Sequence, residues 1–307
     1  MPQGAVHGRP SSAATVRPRI LILGAAGMLG FALHRIFHDA GLDVAGSLRS
    51  LHSPAHPACA NLNYVLGMDA SNFNRVENLL DTFRPDAVIN AVAVKRASGE
   101  AATLQLFETN AGFPARLAHA ASARGVHLLH FSTDAVFDGV DGGYDEGSAP
   151  NPQGPYALSK LLGEQTGRGA LTIRTSIIGR ALGTGEGLTD WLLGQRGSTV
   201  TGHSASLFTG LPVDEIARFL LTRVLSAKPL PEGVYHLAAE PIDKHTLIEG
   251  ILREWEVKGI RLERQEGVRI NRSLTTRRAA EFGDYRAPAW PALIAKMHSF
   301  YSTLGLA

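Results

Sequence analysis

Short apolar runs alternate with longer stretches in which apolar residues recur every three or four positions. Six runs have strand character: Arg19–Leu23, Leu42–Ser47, Asn63–Leu66, Ala87–Ala91, His127–Phe131 and Leu171–Arg174. Between them, Met28–Asp39, Asn72–Phe83, Leu104–Ala123 and Tyr156–Thr166 carry the helical period. Strand and helix in strict alternation predict βαβ units and a parallel sheet. After about Ser176 the pattern changes. Residues 176–202 are glycine-rich and interrupted, then Val213–Ser226 and Lys244–Glu256 read as helices, Val234–Leu237 as a short strand, and a last helix follows Trp290. No repeat of solenoid period is present.

Right-handed crossovers turn this alternation into an α/β fold, a Rossmann-type doubly wound parallel sheet over residues 19–175. Residues 176–307 are expected to build mainly a smaller C-terminal substrate lobe, with segments returning to the sheet. In such sheets ligands bind beyond the carboxyl ends of the strands, where the strand order reverses. Three pieces of chemistry fall there. The first strand runs into Gly24-Ala25-Ala26-Gly27-Met28-Leu29-Gly30. Gly24 permits a tight turn, Gly27 lets backbone approach a pyrophosphate, and Gly30 allows close helix–strand packing. The helix opening at Met28 and Leu29 aims its first amides at phosphate. Alone this spacing is weak; an apolar strand before it and an amphipathic helix after it make it a nucleotide site.

The second strand ends in Ser47-Leu48-Arg49-Ser50, with no acid to meet a ribose 2′-hydroxyl. Arg49 and Ser50 suit a 2′-phosphate, so NADP(H) is the preferred cofactor, with NAD(H) as the alternative. Asp69, followed by Ala70, is placed to accept from an adenine amino group, and equally to cap the helix beyond it. The third piece is Ser132-Thr133-Asp134 at a strand end, followed by Tyr156 and Lys160 on one helix face. A free phenol is a poor acid at neutral pH, and an ammonium nearby would lower its pKa. Thr133 can orient a carbonyl oxygen against Tyr156, and Lys160 can hydrogen-bond a nicotinamide ribose.

Composition narrows the function classes. The chain has 307 residues, 44% hydrophobic and 19% charged, enough for a large core. Net charge is +2 with no basic run, so nucleic acid is not implied as a partner. The single cysteine, Cys59, fits a reducing compartment. Residues 1–18, rich in Ala, Ser, Pro and Gly, read as a disordered extension without the apolar core of a secretory signal. No stretch is apolar enough to span a membrane, and a cytoplasmic, soluble protein is the expectation. His127, His130, His203, His236 and His245 have no metal-ligand spacing, so no metal site is expected.

Gly24–Gly30, the run His130-Phe131-Ser132-Thr133-Asp134-Ala135-Val136-Phe137-Asp138-Gly139, Pro155–Lys160, Ile173–Gly179 and Gly233–His236 together resemble the extended short-chain dehydrogenase/reductase family. Within it, the Ser-Thr-Asp-x-Val-Phe block resembles the dTDP-4-dehydrorhamnose reductase branch of sugar-nucleotide enzymes. The resemblance spans about residues 19 to 237. It implies Tyr156 as proton donor, Lys160 as its partner and Thr133 as the orienting hydroxyl, with Asp134 facing the sugar. It implies Ala91, Val92 and Ala93 along the nicotinamide ribose, and Asn110 holding the site helix. Lys95, Arg180 and Arg272 are candidates to meet the diphosphate of a nucleotide-sugar substrate. The run Val94-Lys95-Arg96-Ala97-Ser98 departs from the more acidic run usual in this branch, which leaves the sugar and base open. The implied activity is NADP(H)-dependent reduction of a nucleotide-linked 4-keto-6-deoxysugar in surface polysaccharide or deoxysugar biosynthesis. Epimerisation or dehydration with a recycled cofactor, and a non-catalytic NADP-binding regulatory subunit, are the alternatives. By analogy with many relatives, a homodimer through a helix bundle is also expected.

Overall fold

The computed structural model describes residues 18–49, 56–96, 98–182 and 187–306, so all but the last residue of the expected N-terminal extension lies outside the described residues. The first half alternates as its pattern requires: β1 (Arg19–Leu23), α1 (Met28–Asp39), β2 (Asp43–Leu48), β3 (Tyr64–Leu66), α2 (Phe73–Phe83), β4 (Ala87–Asn90), α3 (Glu100–Phe107), α4 (Phe113–Ser122), β5 (His127–Ser132), α5 (Gly154–Leu162) and β6 (Ala170–Arg174). The second half is more broken. It contains β7 (Ile177–Ile178), α6 (Leu188–Leu193), β8 (Thr199–His203), β9 (Ser206–Phe208), β10 (Leu211–Pro212), α7 (Val213–Phe219) and β11 (Gly233–His236). It ends in β12 (Ile242–Asp243), α8 (Lys244–Glu254), β13 (Arg261–Gln265), β14 (Ile270–Asn271) and α9 (Trp290–Thr303).

Seven strands form one sheet in the order β11-β6-β5-β4-β1-β2-β3, and every pairing in it is parallel. A sheet covered on both faces needs strands apolar on both sides. Here Ile20 and Ile22 of β1 point to one face, where Phe31 and Phe37 of α1 and Ile216 and Phe219 of α7 cover them. Leu21 and Leu23 point to the other, against Leu79 and Leu80 of α2 and Leu117 and Ala121 of α4. Strand order reverses between β1 and β4, so the ends of these two strands open the crevice. The small strands of the second half pair outside this sheet, as β12-β9-β14, β13-β8 and β10-β7.

Three helices depart from their sequence pattern. The expected helix Leu104–Ala123 starts at Glu100 and is interrupted by a π-turn over Glu108–Gly112. The one expected over Val213–Ser226 turns π-helical at Leu220–Val224. The site helix stops at Leu162, not Thr166. Its next residue, Gly163, lies so close to the Asn110 carbonyl that no Cβ fits. Beyond it, Gln165 exchanges two hydrogen bonds with the Thr172 hydroxyl, at 2.9 and 2.8 Å, which turns the chain into β6.

The tightest approach of helix to strand is at Gly30, where a Cβ would overlap the Gly24 carbonyl and lie 2.9 Å from Ala25 Cα. Gly30→Ala should therefore lower the unfolding free energy by about 1–3 kcal/mol in urea titration. Gly112→Ala, at a helical position with open space, should leave it unchanged or raise it by up to ~1 kcal/mol. Equal effects at the two positions would contradict this packing.

Candidate functional site

The glycine turn sits at the switch point. Gly24 has φ +85°, which L side chains rarely adopt, and a Cβ on it would meet Ala91 and Val92 at 3.1 Å. The Gly24 amide donates to the Ser47 hydroxyl at 3.2 Å, and the Ala25 amide to the Ser47 carbonyl at 3.1 Å, so β2 holds the turn's shape. Gly27 precedes α1 with no side-chain cap, and the first turn of α1 carries no acid. A helix start left without its own anionic partner fits a phosphate. Around Gly27 a Cβ would meet only the Gly24 carbonyl, at 3.4 Å, so a diphosphate can approach its backbone. Met28 and Leu29 are buried, which leaves their backbone rather than their side chains for a ligand.

Arg49 is exposed at the end of β2, and Ser50 lies outside the described residues. Asp69 takes the Ser71 hydroxyl at 2.6 Å and the Ser71 amide at 2.9 Å, both on Oδ1. These bonds, with a smaller pull from the Arg49 charge, hold its carboxyl below the usual range. Asp69 thus shapes the turn before α2 and stands close to Arg49, with Ala70 half-buried beside it. Ala91, Val92 and Ala93 leave β4 against the glycine turn, and the Ala91 amide bonds the Leu23 carbonyl at 3.0 Å.

Asn110 is fully buried in the π-turn. Its Oδ1 accepts from the Val94 amide at 2.9 Å, and its Nδ2 donates to the Val94 carbonyl at 2.8 Å and the Ser159 hydroxyl at 3.0 Å. It therefore pins the loop after β4 to the site helix α5. A π-turn inserts one residue per turn and re-aims its side chains, which is how Asn110 reaches both partners.

Thr133, Tyr156 and Lys160 come together where β5 ends beside α5. The Thr133 hydroxyl accepts from the Ala135 amide at 3.1 Å and lies 3.2 Å from Asp134 Oδ1. Burial pushes the Asp134 carboxyl up, against hydrogen-bonding pulls from Ser176 and Thr133 and the charge of Arg272. Tyr156 is half-buried. Burial raises its phenol above the ordinary value, the Thr133 hydroxyl pulls it down, and the Asp134 charge adds to the rise. Lys160 is 3% exposed and gives its ammonium to the Phe131 carbonyl at 2.6 Å. Burial brings it down to about 8, and the charge of Glu164 opposes that fall. The sequence suggested an ammonium lowering the phenol. In the structure Lys160 is not among the groups acting on Tyr156, because its charge is turned to the end of β5.

Of the residues expected to meet substrate, Arg272 lies nearest this centre: its Nε bonds the Phe137 carbonyl at 2.9 Å and its charge acts on Asp134. Lys95 is exposed on the loop after β4. Arg180 is paired with Asp190 at 2.8 Å. Among the described residues no group of His, Cys, Asp or Glu is arranged to hold a metal. His130, fully buried, has Nδ1 3.1 Å from Asn90 Nδ2, while Asn90 Oδ1 accepts from the Val92 amide. Burial keeps that ring neutral.

Sequence reasoning passed over Ser132, Glu164 and Arg174. Glu164 accepts from Ser132 at 2.7 Å and from two nitrogens of Arg174 at 2.7 Å each, all buried behind the site. A signal was present: Glu164 follows Lys160 by four residues, as Lys160 follows Tyr156.

A seven-stranded parallel sheet with a glycine turn at its switch point, and a Tyr–Lys helix beside a Ser-Thr-Asp strand end, define the extended short-chain dehydrogenase/reductase class. Residues 18–281 match the family described as the RmlD substrate binding domain, and the chain belongs to that family. It is similar to the dTDP-4-dehydrorhamnose reductase of Salmonella typhimurium, 30% identical over 232 residues, 72% of each chain. It is also similar to a probable low-salt glycan biosynthesis reductase, Agl14, of Haloferax volcanii, 34% identical over 61% of this chain and 63% of that protein. Across the curated relatives it matches, the chain spans from about half to nearly three quarters of their length. Among solved structures, the Bacillus anthracis dTDP-4-dehydrorhamnose reductase in complex with NADP superposes with a TM-score of 0.76, at 20% identity over 92% of this chain and 99% of that one, and so shares its fold.

Because Asn110 is buried and makes three bonds, Asn110→Ala would leave the Val94 amide and carbonyl without those partners. The unfolding free energy should fall by about 1–3 kcal/mol in urea titration. An unchanged midpoint would show that Asn110 does not tie the loop to α5.

Proposed function

We propose that the protein reduces the keto group of a nucleotide-linked 4-keto-6-deoxysugar with NADP(H), NAD(H) being the secondary cofactor. The observation that carries this reading is the convergence of Thr133, Tyr156 and Lys160 beside the glycine turn. The uncapped start of α1 and the open space around Gly27 fit a dinucleotide diphosphate, and Arg49 with Ser50 fits a ribose 2′-phosphate. Met28, Leu29, Gly24 and Gly30 would shape the diphosphate cradle, Asp69 and Ala70 the adenine end, and Ala91 to Ala93 the nicotinamide ribose.

A bound nicotinamide would supply the hydride. The chain's own residues do the rest. Thr133 holds the carbonyl oxygen, and Tyr156 gives it a proton as negative charge develops. A phenol raised by burial is fully protonated at neutral pH, which suits a donor and so favours reduction over oxidation-first chemistry. Lys160, as an ammonium, steadies the phenolate left behind and can bond the ribose. Asp134, with Arg272 behind it, would meet sugar hydroxyls, and Lys95 and Arg180 the diphosphate. Binding energy from the nucleotide, remote from the reacting carbon, would position the ketone.

Residues 176–307 would form mainly the sugar-nucleotide lobe. The relatives' names support a place in surface polysaccharide or deoxysugar synthesis. The one cysteine, Cys59, is free and buried, which supports a cytoplasmic setting, and no helix among the described residues is long and apolar enough to cross a membrane. Leu104 of α3 and Leu158 and Leu162 of α5, exposed by 67, 40 and 58%, support a homodimer through these helices.

Two measurements test the reading. With a panel of dTDP- and UDP-linked 4-keto-6-deoxysugars, NADPH absorbance should fall with one member, and Tyr156→Phe should slow that turnover by about 10²–10⁴-fold with cofactor binding retained. Wild-type turnover in the variant would remove Tyr156 as donor; no oxidation across the panel would favour epimerase-type or regulatory roles. Arg49→Ala should weaken NADPH binding about tenfold, by fluorescence titration, and leave NADH binding unchanged. Equal losses for both cofactors would contradict the 2′-phosphate assignment.

A further inference from the structure

Behind the site three strands and the site helix meet over one buried ion pair. Glu164, just past the end of α5, and Arg174, the last residue of β6, have side chains 7 and 6% exposed. Their contact is bidentate, Nε and Nη2 each 2.7 Å from the carboxylate, and the Ser132 hydroxyl adds a third bond at 2.7 Å. Arg174 Nη1 faces His236 Nε2 of β11 at 3.2 Å. The other ring nitrogen, Nδ1, lies 3.0 and 3.1 Å from the Tyr144 and Thr275 carbonyls. Carbonyls only accept, so the proton is on Nδ1, Nε2 is the acceptor, and the ring is neutral. The guanidinium also lies 5.4 Å from the Phe137 ring centroid, and Phe137 stacks on Tyr144 at 4.3 Å.

Such a pair is weak evidence for stability, since two apolar side chains would often hold the fold as well. Its place points elsewhere. Lys160 sits one helical turn before Glu164 and bonds the Phe131 carbonyl, next to Ser132. We propose that Glu164 and Arg174 are positioning residues for Lys160: the carboxylate keeps that lysine an ammonium in a dry site, and the arginine clamps the carboxylate and the end of β5 in register. The proposal rests on the reading of Lys160 as the partner of Tyr156.

The groups facing Lys160 are few. From α5 come Tyr156 and Glu164, from β5 the neutral His130, from β6 Arg174 and from β11 the neutral His236. Asp134 acts on the phenol instead. Glu164 is the group whose charge opposes the loss of the Lys160 proton. Deleting one charge of the pair therefore leaves the other acting on the lysine alone. Glu164→Gln leaves two cations in one dry site, whereas Arg174→Met leaves an unshared carboxylate.

The test is the titration of the Lys160 13Cε resonance in lysine-labelled full-length protein without cofactor, assigned by its loss in Lys160→Met. The wild-type midpoint is expected near 8. Glu164→Gln should lower it by about one pH unit, Arg174→Met should raise it by about one, and the double variant should return to within about 0.3 of wild type. Shifts in one direction, or none, would overturn the proposal, because a merely structural pair gives no opposed signs. Should Glu164→Gln not fold, Glu164→Asp retracts the same charge by one methylene and should lower the midpoint less; an unmoved midpoint there overturns the proposal too. The alkaline limb of NADPH oxidation should follow the same order across the variants. Opposed NMR shifts with an unmoved limb would uphold the positioning pair and place the failure in the catalytic reading of Lys160.

Discussion

An ammonium buried at the carboxyl edge of a parallel sheet is the constraint around which this site is arranged. Lys160 is 3% exposed, and a charge so far from water needs partners that cannot drift. The Phe131 carbonyl at the end of β5 supplies one, and Glu164 supplies the opposing charge. Each in turn has to be held. β5 lies between β4 and β6 in the sheet, and Glu164 is gripped by Arg174 and Ser132. The site helix is fixed from its other side by Asn110, through Ser159, and by the close approach at Gly163. Tyr156 inherits its place from that fixed helix.

The same framework relates the two halves of the chain. β11 pairs with β6, so His236 reaches Arg174, and the ring's far side meets the carbonyls of Tyr144 and Thr275. Arg272 and Ser176 act on Asp134, which lies one residue from Thr133. A segment that would bind sugar is thus in direct contact with the segment that would move a proton. A substrate held by these loops would meet the Thr133–Tyr156 pair with little freedom left to lose.

Much of this was legible in the chain. Parallel strands buried on both faces read as plain apolar runs, and β1, with its glycine turn and α1, fell where the pattern put them. Thr133, Tyr156 and Lys160 were legible through order and spacing, and they do converge. What the pattern hid was chemistry that depends on distant pairing. Helical periodicity ran through Asn110 and past Gly163, because it records which face is apolar and not where a π-turn or a backbone contact interrupts the ladder. The direction of the Lys160 charge was hidden for the same reason. Four-residue spacing puts Lys160 near Tyr156, but the carbonyl that takes its ammonium belongs to β5. Arg174 and Glu164 are ten residues apart on different elements, so no local pattern announces their bidentate contact.

The central claim is that the chain passes a hydride to a keto carbon of a nucleotide sugar while Tyr156 supplies the proton. Its most direct test is one turnover with NADPH deuterated on the transferred face of nicotinamide C4 and a dTDP-4-keto-6-deoxysugar. The account predicts one deuterium on sugar C4 in the reduced product, by mass spectrometry and NMR, with stoichiometric oxidised cofactor. A sugar converted without deuterium and without net cofactor oxidation would contradict it.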